Sequence, residues 1–89
     1  MLFMVIERFK SPDPHAIGER FARCGRMLPD GVTYHASWME TDGQRCFQIM
    51  EAPDRQTLQA WIDKWADLVD FEVSTVLPST EFWAARSPR

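Results

Sequence analysis

Three side chains with the chemistry to move a proton fall on predicted strands of this chain: His35, Glu7 and Glu72. An imidazole titrates near neutrality, so a mid-strand His35 has the character of a general base, a proton donor or a haem ligand. The plain structural reading is a half-buried histidine bonded to a neighbour or to a dimer mate, and no stretch supplies the large apolar slot that haem needs. Glu7 and Glu72 are expected on adjacent strands. Two carboxylates on one enclosed face would raise one pKa and form an acid/base pair. Otherwise either one lies at a rim and pairs with Arg8, Arg26 or Arg45. His15, in a first helical turn, and Glu51, at a strand end, read as surface charges.

The remaining reactive types are more readily structural. Cys46 would be a nucleophile only with a lowered pKa, and no histidine stands opposite it, so a buried inert thiol is expected. Cys24 and Cys46 form neither a metal spacing nor a Cys-x-x-Cys motif. A single disulfide would satisfy the count, but the two fall on different faces, and two reduced thiols are expected. Trp38, Trp61 and Trp65 have the look of a ligand-stacking box but lie on predicted core stripes; Trp83, in the tail, is better placed for an interface. Arg26, where the first helix ends, would either reach an anionic ligand or serve the helix dipole. No phosphate loop, zinc spacing or Ser-His-Asp order is present, and no cofactor or metal is expected.

The element that must position these groups is a hairpin over residues 34–51. Asp42-Gly43 between two alternating runs signals a two-residue type I′ turn. The resulting register sets Glu40 opposite Arg45, Met39 opposite Cys46, Trp38 opposite Phe47, Ser37 opposite Gln48, Ala36 opposite Ile49 and His35 opposite Met50. One face carries Tyr34, Ala36, Trp38, Phe47 and Ile49 and reads as core. The other carries His35, Ser37, Met39, Cys46, Gln48 and Met50, neither dry nor solvent-like, and is where function is expected.

Around the hairpin, the apolar run 2–6 predicts a first strand over about 2–9. Asp13 and Pro14 open a helix reaching to about residue 27, with Ile17, Phe21, Cys24 and Leu28 as its buried stripe. In it Gly25 is expected to allow close packing rather than to cap. Asp54 caps a second helix with the stripe Leu58, Trp61, Ile62 and Trp65. Residues 71–77 form the last strand, and Pro78 ends the domain, so residues 1–78 are one domain. Residues 79–89 are a tail with a short helix and a frayed end. The order β-α-β-β-α-β predicts a ferredoxin-like α+β fold with sheet order 4-1-3-2 and both main helices on one sheet face. The uncovered face would hold Phe3, Val5, Glu7, His35, Ser37, Met39, Cys46, Gln48, Met50, Glu72, Ser74 and Val76, too apolar to stay free.

Five stretches carry a resemblance: residues 1–7 (MLFMVIE), 25–29 (GRMLP), Ser37-Trp38, 45–48 (RCFQ) and 65–72 (WADLVDFE). Together they resemble the domain of unknown function 3303 family of short bacterial proteins, over nearly the whole chain to Pro78. The resemblance implies a branch of the dimeric α/β-barrel proteins, in which two ferredoxin-like sheets face each other. That superfamily includes cofactor-free monooxygenases, haem-binding enzymes and muconolactone-isomerase-like enzymes. None of their catalytic signatures is recognisable in this chain, so the resemblance implies a fold and not a reaction.

Composition bounds the rest. Eighty-nine residues hold one core, and so short a chain gains from oligomerisation. With a net charge of −3 and scattered Lys and Arg, neither nucleic acid nor a membrane is an expected partner. The amino-terminal run is too short for a signal peptide or a span, which predicts a cytoplasmic protein. The expected partner is a second copy, joined through the sheets. Two functions fit: a small-molecule pocket on the mixed face, for proton transfer or cofactor-free oxygenation of a partly apolar molecule, or a non-catalytic module whose polar residues only fix the dimer register.

Overall fold

The structure is a computed structural model and describes residues 1–86. In chain order it contains β1 (Leu2–Phe9), α1 (His15–Cys24), β2 (Thr33–Met39), β3 (Arg45–Glu51), α2 (Arg55–Ile62), β4 (Val69–Val76) and α3 (Ser79–Ala84). The strands form one antiparallel sheet in the order β2-β3-β1-β4, the ferredoxin-like α+β arrangement expected from the element order. The end of the tail, residues 87–89, including part of the stretch expected to fray, lies outside the described residues.

Local chemistry explains the boundaries. The Asp54 carboxylate accepts the Thr57 N–H at 2.7 Å and so caps α2. At α1 the N-cap is Pro14, and the carboxylate of Asp13 accepts the His15 N–H at 3.0 Å. Helix α1 stops at Cys24, short of residue 27. Gly25 takes φ +66°, its N–H donates to the Phe21 carbonyl at 2.8 Å, and no atom comes within 4 Å of where a Cβ would stand. Gly25 therefore caps the helix and does not serve close packing. The hairpin turn also differs from expectation. Gly43 N–H donates to the Glu40 carbonyl at 2.8 Å, and Gly43 is left-handed while Asp42 is not. A type I′ turn needs two left-handed residues, so another turn forms, yet the register from Glu40–Arg45 to Ala36–Ile49 is the expected one.

The faces of β1, β2 and β3 are reversed from the expectation, whereas Glu72, Ser74 and Val76 of β4 lie on the uncovered face as expected. Phe3, Val5 and Met50 are fully buried beneath the helices with Leu58, Trp61, Ile62 and Trp65, and Glu7, Cys46 and Gln48 are buried on the same side. The uncovered face instead carries Leu2, Met4, Ile6, Ala36, Trp38, Phe47 and Ile49, with Glu72, Ser74 and Val76 from β4. Trp38 is 60% exposed there and is not core. The reason lies in the β1–β4 register: Glu7 stands opposite Phe71 and Val5 opposite Val73, so the apolar phase of β4 shares a face with Phe3, Val5 and Glu7. The helices cover that combined face.

A bulge at His35 alters the start of β2. Tyr34, and not His35, is paired with Met50, while Ala36 remains paired with Ile49. The extra residue turns Tyr34 to the helix side, where it packs against the core. Helix α1 contributes less to that core than its pattern predicts. Ile17 packs against it, but Phe21 and Leu28 are 44% and 38% exposed, and Cys24 is exposed.

Candidate functional site

Because α1 buries no residue fully and carries Gly18 where a side chain could fill space, it leaves a gap above the sheet. The gap is a half-open cavity of about 330 Å³. Its walls are mostly apolar, from Ile17 and Phe21 of α1, Trp61 and Trp65 of the α2 region, and Phe9 and Val69 of the sheet. Its polar groups are Glu7, Ser37, Cys46, Gln48 and Arg26. Met39 lies at the same wall and is half exposed.

Glu7 is placed by strand alternation. It sits towards the end of β1, between Cys46 on β3 and Phe71 on β4, and is 9% exposed. Burial raises its pKa from 4.5 to about 7; the Gln48 amide and the Arg26 charge oppose the rise but do not cancel it. A carboxyl poised there both gives and takes a proton near neutral pH. Burial, and then the neighbouring Glu7, push the Cys46 thiol up to about 11, so it is not a thiolate nucleophile. Cys24 and Cys46 are both free.

Arg26 is held from two directions. Its backbone carbonyl accepts the indole N–H of Trp61 at 3.1 Å and that of Trp65 at 3.0 Å. Its guanidinium carbon lies 3.6 Å from the centre of the Tyr34 ring and 5.1 Å from that of Phe21. The residues on either side are both left-handed, Gly25 at φ +66° and Met27 at φ +59°. For Met27 that conformation costs energy, and the double indole anchor holds it in place. Tyr34 is itself fixed by a 2.7 Å hydrogen bond between its hydroxyl and that of Ser37.

Of the twelve residues expected on one mixed face, Glu7, Ser37, Met39, Cys46 and Gln48 line this cavity, on the helix side of the sheet. Phe3, Val5 and Met50 are core beneath the helices. His35 is exposed at the bulge, its Nε2 2.7 Å from Oε1 of Glu51, and takes no part in the cavity. Glu72 stands opposite Ile6 on the uncovered face, so Glu7 and Glu72 do not form a pair. Sequence reasoning misses the opening beside Gly18 and the shared Trp anchor. Two tryptophans at i and i+4 on one helical stripe are the available signal, since both indole N–H groups then need acceptors on the same side.

Among the described residues no cluster of three or more His, Cys, Asp and Glu could hold a metal ion, and no helix is long and apolar enough to cross a membrane. Comparison with protein families matches residues 1–88 to DUF3303, a domain of unknown function. The chain belongs to the DUF3303 family. A search of curated proteins finds no match. The fold of this DUF3303 member is similar to the structure of Rv0793 from Mycobacterium tuberculosis, at 14% identity and a TM-score of 0.51, over 86% of this chain and 95% of that one. At that identity the likeness concerns the fold alone.

Proposed function

We propose that this DUF3303 protein binds a small, largely apolar molecule in the cavity between α1 and the sheet, and that Glu7 exchanges a proton with it. The observation that carries the reading is a buried carboxyl set in the wall of an apolar, half-open cavity of ligand size, with the Gln48 amide beside it. No core-packing need explains a carboxyl there, since an apolar side chain would fill β1 at lower cost.

The reading extends to a homodimer formed through the uncovered sheet face. Leu2, Met4, Ile6, Trp38, Phe47 and Ile49 make that face apolar, and a second copy covers it economically. The dimer leaves each cavity on the outer, helix side of its own sheet. Two free thiols, one of them exposed, suit a reducing compartment, and the proposal places the protein in the cytoplasm.

An NMR screen of small apolar molecules tests the site. Binders should shift Gln48 and Trp65 signals in the wild type, and Gly18→Leu, which fills the cavity, should abolish the shifts. Ligands with an acidic C–H should exchange deuterium from solvent with the wild type and not with Glu7→Gln. Binders that leave the cavity residues unmoved would refute the reading.

A further inference from the structure

Arg26 is unusual among the arginines. Arg20, Arg23 and Arg45 are each paired with a carboxylate, to Asp67, Glu19 and Glu40 respectively. Arg8, Arg26, Arg55 and Arg86 have no ion-pair partner among the described residues; of these four Arg26 alone is half-buried, and it is the only basic residue among those lining the cavity. Its place is also unusually determined. Two indole donors fix its carbonyl, two left-handed residues flank it, and two aromatic rings hold its guanidinium. Stacking occupies the faces of a guanidinium but leaves its N–H edge free, and that edge matches a carboxylate with two parallel hydrogen bonds. A structural role as a helix-terminal charge would need none of this positioning, because the dipole effect depends little on orientation.

We propose that Arg26 is the anion-binding group of the cavity and that the ligand is a small apolar molecule bearing a single carboxylate. The inference rests on the cavity reading above and adds the substrate class. The apolar walls take the ring or branched chain of the ligand, Arg26 takes its carboxylate, and Glu7 lies deeper on the sheet, facing the body of the ligand. A cavity of about 330 Å³ sits at the lower end of the range for ligand sites, about 300–1,000 Å³, which limits the ligand to roughly one ring with a short chain.

Matched pairs of compounds decide it: benzoate and benzamide, 3-phenylpropanoate and 3-phenylpropanamide, cyclohexanecarboxylate and its amide. Each is titrated at pH 7 into the wild type, Arg26→Lys and Arg26→Met, with NMR shifts of cavity residues as the readout. The wild type should bind the best carboxylate at least about tenfold more tightly than its amide, because a charge-assisted bidentate contact is lost in the amide. Arg26→Met should remove that preference, weakening the carboxylate far more than its amide, and Arg26→Lys should retain part of it. If the wild type binds both members of every pair equally, or if the preference survives Arg26→Met, the assignment of Arg26 is overturned and the cavity reading stands. If no member of any pair shifts the cavity residues, both are overturned. The comparison within the wild type remains decisive should Arg26→Met fail to fold.

Discussion

The indole N–H of Trp65 donates to the backbone carbonyl of Arg26 across 39 residues of sequence, at 3.0 Å, and so ties the turn after α2 to the turn after α1. Trp61 makes the same bond at 3.1 Å, so one carbonyl serves two buried donors. The two tryptophans therefore act on the cavity as a pair.

Trp61 is fully buried and stacks edge-on against Phe71 at 5.7 Å. Trp61→Ala should cost about 3–5 kcal/mol by the usual scale for aromatic core deletions. Trp65→Phe, which keeps an aromatic ring and drops one donor, should cost only about 1 kcal/mol, because Trp61 still satisfies the carbonyl. The Trp61→Phe, Trp65→Phe double variant should lose more than the two single changes together. Urea unfolding of the wild type, both single variants and the double variant measures the coupling.

Glu7 should give stability an inverted pH dependence for a carboxyl. Its pKa is about 7 folded against 4.5 as the ordinary value, so between these the folded state holds a proton that the unfolded state has released. Stability from this group is present in full below pH 4.5, falls as the pH rises towards 7, and levels off above. The span corresponds to about 3 kcal/mol. Subtracting the profile of Glu7→Gln from that of the wild type should isolate the slope, and parallel profiles would place Glu7 in a wetter environment.

Gly18 lies within α1, and no atom comes within 4 Å of the position that an alanine methyl group would take there. Gly18→Ala should stabilise the protein by about 0.5–1 kcal/mol through helix propensity and a less flexible unfolded chain. Thermal unfolding reads the gain. A loss of stability would mean that α1 sits closer to the sheet than described.

On the sheet, Ile6→Asp and Val5→Asp separate assembly from folding. Ile6 lies on the uncovered face, so its substitution should yield a folded monomer by sedimentation, while Val5→Asp, at a fully buried site, should unfold the chain. The wild-type interface should exceed about 1,000 Å². A wild type that sediments as a folded 10.4 kDa monomer at micromolar concentration would refute the dimer.

The order of elements, the sheet order and most of the hairpin register are legible in the sequence because each rests on local signals: Pro14, Asp54, the Asp42-Gly43 turn and alternation. Which sheet face the helices cover is not. Alternation in the hairpin divides residues into two sets without saying which is inside, and the more apolar set, with Trp38 and Phe47, is the uncovered one. The continuous run 2–6 in β1 has no polar phase to settle the matter. Only the pairing of Glu7 with Phe71 and Val5 with Val73 links the faces, and that register joins strands far apart in sequence. Glu7 is legible as a proton-transfer candidate, but its expected companions stand elsewhere, His35 at the bulge and Glu72 on the uncovered face.

The bulge at His35 means that β2 carries one residue more than its neighbour requires. With His35 deleted, Tyr34 would still meet Met50, Ala36 would meet Ile49 and Ser37 would meet Gln48, now as an unbroken ladder. Elsewhere in the sheet, loss of a single residue would turn every following side chain over. Here it would turn none. This is therefore the one point within β2 where the length of the chain can change by a residue while the cavity wall and the uncovered face both keep their composition.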